Sequence, residues 1–363
     1  MDELRLEDIA QRLSDLELAT FLSLVASEHC LIETTGDSVN DVAKELALIS
    51  THTFGLSYSV LDCGWSTSME DIHQEILTAE ARKHHTRPAY LRTKTETSSN
   101  RSSYMNARDR SKSPIPGSHP SENNVVNIVI AKNFNLVDED VQVQILQLMR
   151  ARKLATEVGI LNAPQDFVFV PVVVRESDQL KPPLKTHLNE HLFISHFHGL
   201  KDGYVYLEES EWLSDGQQSA SSVINSPKKP QKKSTSVDQV ALDKLREASD
   251  RVATSAEVVR YIQDIVVFLR LSRAVAGGVS AKANNQFNRL AKLLAPLHGI
   301  DYLTPSIVAL AARKLFRHRI VVASPEDDRS LQYGSDIATV SRVLAGVTPD
   351  SILDGVLALE PPL

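Results

Sequence analysis

The sequence predicts an α/β fold with a parallel sheet, followed by an all-helical domain. In the first 213 residues, apolar runs such as 125–131 and 167–174 alternate with stretches of helical spacing. Such runs are typical of strands that are covered on both faces of a parallel sheet. From residue 237 onward, apolar side chains recur only at helical spacing, which predicts a bundle of helices.

The composition indicates a soluble globular protein. The chain has 363 residues, of which 42% are hydrophobic, enough for a sizeable core and about two domains. No apolar run approaches the roughly 20 residues of a membrane-spanning helix, and the first residues lack the features of a secretory signal. Two cysteines are too few for a disulfide framework, and a net charge of −7 is unlike that of a general nucleic-acid-binding protein. We therefore expect an intracellular, cytoplasmic protein that contacts neither membrane nor nucleic acid.

Two polar stretches, 92–124 and 214–237, interrupt the globular pattern. Ser, Thr, Asn, Arg and Pro dominate the first, and the second contains the run Pro-Lys-Lys-Pro-Gln-Lys-Lys. Such segments bury too little apolar surface to offset their ordering entropy, so we expect a disordered insertion and a basic polar linker. Their basic runs have two interpretations: signals for nuclear import, or, more plainly, solvated linkers. The predicted organisation is a core of 1–91 and 125–213, a helical domain of 238–325 and a helical extension of 326–363.

Local spacing predicts each element in turn. Leu6, Ile9, Leu13 and Leu16 indicate one opening helix. The other core elements are strands at 30–33, 57–61, 125–131, 167–174, 192–194 and 204–207, and helices at 38–50, 69–83 and 138–152. The helical domain has apolar faces at 240–251, 255–273, 281–297 and 305–317, with Thr254 and Thr304 as expected N-caps and with Gly277, Gly278 and Gly299 as helix ends.

The helical domain carries an ordered set of short motifs. These are Arg260–Val266, Arg273–Ala283, His298–Pro305 and Phe316–Ile320. In this order they resemble the lid domain of AAA+ ATPases of the MoxR and magnesium-chelatase I-subunit type. The resemblance implies a P-loop-like core with a helical lid, assembly into homo- or hetero-oligomers, and ATP hydrolysis coupled to metal insertion into a porphyrin or to remodelling of partner proteins.

The nucleotide motifs of that family are altered in this chain. Its phosphate loop has the form GxxxxGK[ST], and the matching positions hold Thr35, Gly36, Asp37, Ser38, Asn40 and Asp41. The lysine of the motif falls on Asn40 and its hydroxyl on Asp41. The Asp-Glu pair of the Walker B strand falls on Lys132 and Asn133, while Asp138–Asp140 is either a shifted replacement or an acidic helix start. The strand sensor falls on Val174, the arginine finger on Glu190 and the lid sensor arginine on Lys282.

Four chemical parts are therefore missing or reversed in charge, and each contributes orders of magnitude to phosphoryl transfer. We interpret the chain as a pseudo-ATPase without catalytic residues, acting as a scaffold or assembly partner for other proteins and needing no cofactor. The alternative is a functional ATPase with unusual nucleotide contacts, which would take ATP and Mg²⁺.

One further motif indicates a different chemistry. His187, Glu190 and His191 form H-x-x-E-H, the inverted zincin motif, in which two histidines share a metal and the glutamate acts as base. A zinc hydrolase is thus a third hypothesis, although Pro182-Pro183 leaves room for little more than one helical turn. The plainer interpretation is a His-rich surface loop. Cys30 and Cys63 lie on predicted core strands, where free cysteines usually act as small apolar side chains.

Overall fold

The computed structural model describes residues 6–77, 123–156, 159–175, 184–209 and 237–358. Most of the predicted insertion and linker lies outside these residues. Asn123–Asn124, the end of the predicted insertion, forms a short strand, and Val237 at the end of the linker is buried. Among the described helices, none is long and apolar enough to cross a membrane.

Five parallel strands form the central sheet. The strands of the described chain are β1 (His29–Thr34), β2 (Tyr58–Asp62), β3 (Asn123–Asn124), β4 (Ile128–Lys132), β5 (Lys153–Thr156), β6 (Gly159–Asn162), β7 (Val168–Val174), β8 (Leu192–His198), β9 (Val275–Gly277) and β10 (Val321–Val322). The central order is β2-β4-β7-β1-β8, and every neighbouring pair is parallel. Numbered along the chain, these five strands follow the order 5-1-4-3-2 when read from β8. The strands β1, β4 and β7 are almost completely buried. The side chains of β4 and β7 are nearly all apolar, as is typical of strands covered on both faces, whereas β1 also buries His29, Glu33 and Thr34.

The helices fall into two groups. Those of the first group are α1 (Leu6–Arg12), α2 (Asp15–Ala26), α3 (Val39–His52), α4 (Met69–Glu75), α5 (Glu139–Ala151), α6 (Thr186–Asn189) and α7 (Val205–Glu209). Those of the second are α8 (Gln239–Arg251), α9 (Ala256–Leu271), α10 (Ala281–Leu297), α11 (Pro305–Phe316), α12 (Ile337–Leu344) and α13 (Pro349–Leu357). The α/β core followed by a helical domain agrees with the predicted fold class.

The core and the helical domain share one apolar cluster. It contains sheet residues such as Ile32 and Val170 together with Ile265 and Leu290 of the helical domain, all nearly inaccessible to solvent. Helix α11 packs on the edge strand β8, and α8 packs on α2. Burial of a large apolar side chain contributes about 1.5–3 kcal/mol, so the shared cluster stabilises the contact between the core and the helical domain.

Hydrogen bonds between the two parts add to the apolar contact. The Arg246 guanidinium donates to the carbonyls of Leu24 and Val25 at the end of α2, at 3.0 and 2.9 Å. The buried Arg319 donates to the Leu192 carbonyl at 2.6 Å. These bonds satisfy carbonyls at the end of a helix and at the start of the edge strand, so they fix the orientation of the helical domain.

Three local predictions are wrong. The predicted strand at 204–207 is helix α7, because the Glu45 carboxylate accepts from the Tyr206 and Leu207 amides and so caps a first helical turn. The single opening helix is two helices, since Ser14 and Glu17 form a capping box that starts α2. The N-cap of α9 is Ser255 and not Thr254.

The glycine pair and the fourth helix also differ from expectation. Gly277 belongs to strand β9 and Gly278 has φ +95, after a helix that already ended at Leu271. A glycine is needed at position 278 because the Arg319 carbonyl approaches it closely. A Cβ there would lie 1.9 Å from that carbonyl oxygen. Helix α4 ends at Glu75, eight residues before the predicted end at Lys83, and residues beyond 77 are outside the described chain.

The shared apolar cluster predicts a large effect of a charge at its centre. We expect Ile265→Asp to lower the stability by several kcal/mol, because the new carboxylate is buried without a partner. Gln263→Asp places the same side chain on the exposed face of α9 and serves as the control, with a change within about 0.5 kcal/mol. Thermal melting of both variants checks this, and equal melting temperatures would contradict the shared core.

Candidate functional site at the carboxyl edge of the sheet

The connection between β1 and α3 is the position at which a phosphate-binding loop would lie. It consists of Thr35 and a single 3-10 turn, Gly36–Ser38, before α3 starts at Val39. The Thr35 hydroxyl donates to Ser38 Oγ at 3.1 Å, and the Ser38 amide donates to the Thr35 carbonyl. Gly36 is the only glycine of this turn, and the second glycine and the lysine of the P-loop motif, whose loop surrounds phosphates with backbone amides, are replaced by Val39 and Asn40.

Lys132 lies at the carboxyl end of β4, where the Walker B carboxylate would be. Its side chain is only 9% exposed, and its ammonium donates to Asn40 Oδ1 and to Asp62 Oδ2, both at 2.9 Å. The three residues belong to β4, α3 and the end of β2, so a single cation joins three elements. A fixed ammonium therefore lies where the resemblance expects a magnesium ligand, and it is bonded to the residue at the phosphate-binding lysine position.

The neighbouring positions have structural contacts. Asn133 adopts the left-handed conformation, φ 52, which asparagine tolerates better than most residues, and its amide donates to the Val172 carbonyl at 2.7 Å. Asp138 precedes α5, whose first turn is acidic, as favoured by the helix dipole. The exposed Asp37 and the half-exposed Asp41, which faces Lys44 at 3.6 Å, place carboxylates beside the β1–α3 turn.

An ionic cluster lies near the end of β7, beyond the apolar Val174. The Arg175 guanidinium bonds Asp350 Oδ2 at 2.7 Å and lies over the Phe197 ring, 5.5 Å from its centroid. Arg317, at the end of α11, pairs with the buried Glu33 of β1 and approaches the same Asp350 oxygen at 4.0 Å. Burial lowers the pKa of Arg317. Two arginines and two carboxylates thus neutralise one another between the core and the helical domain.

Lys282 and Glu190 lie at the other edge of the sheet. Lys282 Nζ is 2.5 Å from Nδ1 of His191, the residue that precedes β8. The register pairs Leu192, the first residue of β8, with His29, the first residue of β1, so this contact is at the amino edge. Burial, followed by the charge of Lys282, lowers the pKa of His191 to about 4, so the neutral imidazole accepts from the ammonium. The structure therefore brings Asn40 and Lys132 together and does not bring Lys282 or Glu190 to them.

The proposed zinc ligands are not gathered around one point. His187 is exposed on the four-residue helix α6, and His191 is bonded to a lysine. Within the described ranges, no group of three or more His, Cys, Asp or Glu side chains is placed to hold a metal ion. Burial raises the pKa of both thiols, Cys30 and Cys63, to about 12, which agrees with their interpretation as apolar side chains.

Sequence reasoning missed Asp62 and the cluster of Glu33, Arg175, Arg317 and Asp350. Asp62 had a signal, because it is the polar residue that follows an alternating strand. The cluster had none, since Arg175 and Asp350 are 175 residues apart and their meeting depends on how α13 docks.

The architecture, a parallel sheet of order 5-1-4-3-2 with a helical domain packed on its edge, is an AAA+-type fold. Residues 268–340 match the AAA lid domain family. A solved structure from Cytophaga hutchinsonii, described as that of a candidate ATPase, has the same fold with a TM-score of 0.55 and 15% identity, over 93% of this chain and 92% of that one.

Two curated yeast proteins are similar over a shorter stretch. Both are named "Maintenance of telomere capping protein 2". The one from Kluyveromyces lactis is 29% identical over 100 residues, 26% of this chain and 36% of its own length. The one from Lachancea thermotolerans is 30% identical over 115 residues, 30% of this chain and 40% of its own length. The chain thus spans about two fifths or less of the relatives it matches.

Reversal of the charge at Lys132 tests the role of its ammonium. We expect Lys132→Glu to lower the stability by several kcal/mol at pH 7, because a buried carboxylate would face Asp62. Burial and Asp62 would raise the pKa of the new carboxyl. Its folded-state pKa would then exceed the unfolded value, so the lost stability should return as the pH falls towards about 4.

The matched control is Lys185→Glu, which also reverses a charge beside a carboxylate, Glu139, but with both partners more than half exposed. Its cost should stay below about 1 kcal/mol. Urea denaturation of both variants at the two pH values measures the difference. Equal losses of unfolding free energy in the two variants would show that the buried Lys132 contacts stabilise the fold no more than an exposed ion pair does.

Proposed function

We propose that this chain is an AAA+-type protein that does not hydrolyse ATP and acts as a scaffold or assembly partner for other proteins. The observation that carries the proposal is the bonding of Lys132 to Asn40 and Asp62. ATP hydrolysis in this fold uses a magnesium ion held from the β4 end and a lysine at the start of α3. Here the β4 residue is itself the cation and the α3 residue is its acceptor, so the residues present do not fit Mg-ATP.

The β1–α3 turn and its charges support the same proposal. The residues 35–38 between the strand and the helix contain one glycine, Gly36, and the lysine position of the motif holds Asn40. The carboxylates of Asp37 and Asp41 would repel a triphosphate, which carries about four negative charges near neutral pH. At the lid sensor position, Lys282 is bonded to His191 at the amino edge and does not reach this turn within the chain.

The finer relationship, to the MoxR and magnesium-chelatase I-subunit type, is also a proposal. It is supported by the order of the motifs from Arg260 to Ile320 and by the lid-family match over 268–340. Because AAA+ proteins commonly assemble into oligomers, we propose an oligomer of this chain with itself or with related subunits.

Titration calorimetry with Mg-ATP tests the loss of nucleotide chemistry. The full chain should give no saturable heat, and phosphate release should not exceed that of buffer. The positive result would be a dissociation constant in the low micromolar range that Asn40→Ala abolishes without lowering the melting temperature. That result would favour the functional ATPase with unusual contacts.

We also propose a role in the maintenance of telomere capping. The support is the name and the partial similarity of the two yeast proteins. Replacing the Kluyveromyces lactis protein by this chain tests the role: the replacement should restore capping to cells that lack the native protein. The Lys132→Met variant should restore it as well, because the proposed role uses no nucleotide. Failure of a chain that is expressed and folded would contradict the shared role.

A further inference from the structure

The last helix, α13, is held by apolar and ionic contacts on the same side of the helical domain. Its Leu353 is fully buried, and Ile352 and Val356 are nearly so. The helix packs against α9 and α11. These two helices therefore form a groove, and α13 is the apolar helix that fills it.

Acidic side chains of α13 complement arginines beside this groove. Asp354 Oδ1 accepts from Arg313 at 2.5 Å, and one turn earlier Asp350 contacts both Arg175 and Arg317. Arg313 of α11 lies four residues before Arg317, which directly follows α11. Asp350 and Asp354 of α13 have the same spacing, so two pairs of opposite charge face each other across the groove. Helix α13 has no basic residue. The groove thus selects an acidic amphipathic helix.

The segment that carries α13 has little attachment of its own. Helix α12 buries Val340 and leaves Ile337 and Val343 about half exposed. The backbone amides of Ser335 and Val347 bond the nearby carbonyls of Ser330 and Leu344, and Val347 also packs against the shared apolar cluster. Few buried contacts mean a low cost of local detachment, so α13 is tethered to the groove through an arm, residues 334–348, that opens more easily than the core.

We propose that the α9–α11 groove is a docking site for an acidic amphipathic helix of a partner protein, and that α13 occupies it in cis. Charge complementarity and the shape of α13 itself argue for this occupant. A tether of this length gives an effective concentration on the order of millimolar. An external helix therefore competes only when it binds more tightly than α13 or when α13 is weakened. The inference supplies a partner surface for the proposed scaffold role.

The test uses the full chain and a fluorescent peptide of residues 347–358. Polarisation should show weak binding to the parent and at least tenfold tighter binding to Leu353→Asp, whose own α13 no longer fits the groove. Adding Arg313→Asp to that variant should remove the gain. A charge-swapped peptide, with Asp354→Arg, should show the opposite preference. It should bind the protein variant with both Leu353→Asp and Arg313→Asp more tightly than the variant with Leu353→Asp alone. Misfolding of the variants cannot produce this reversal of preference.

Other outcomes would overturn the inference. Binding to Leu353→Asp that is no tighter than to the parent would refute an exchangeable α13. If that variant does not fold, Asp354→Arg, at a half-exposed site, should still raise the affinity for the parent peptide severalfold. A dimer of the parent that Arg313→Asp dissociates in light scattering would assign the groove to a second copy and exclude a separate partner. No nucleotide is present in these measurements, so their failure would leave the proposed loss of ATPase activity intact.

Discussion

The ammonium of Lys132 is the group on which the geometry of the carboxyl edge depends. A buried cation must find acceptors, and it finds them on the first turn of α3 and at the end of β2. These bonds draw α3 towards the ends of β2 and β4 while the short 3-10 turn holds it close to β1. Hydrogen bonds within the protein thus join the end of β4 to the start of α3 and to the end of β2.

The second organising feature is the direct docking of the helical domain. In an ATP-driven machine, nucleotide joins core and lid, and their relative motion performs work. Here the carbonyl of Leu192 accepts from both Arg319 and His318, and Glu33 pairs with Arg317 across the same boundary. Arg319, His318 and Glu33 are almost completely buried, so loss of these bonds would be costly. The arrangement favours a single fixed orientation of the helical domain.

The sequence predicts the sheet better than it predicts the site. Apolar runs such as 167–174 can only be strands covered on both faces, and the structure has β7 there. The run of aromatic and apolar residues Tyr204–Leu207 is equally strand-like, but a distant carboxylate, Glu45, makes it a helix. Lys132 and Asn40 meet because both follow strands whose carboxyl ends share an edge. The contacts of Lys282 with His191, and of Arg175 with Asp350, depend on how helices dock, and local spacing carries no information about that.

The apolar cluster shared by the core and the helical domain also affects synthesis of the protein. Chains fold in the order in which they emerge from the ribosome, and the side chains that cover the edge of the sheet come from residues beyond 237. The nascent core therefore presents apolar surface until α11 has been made. During that interval the exposed apolar surface can bind a molecular chaperone. A fragment that ends at the linker would expose the same apolar surface permanently.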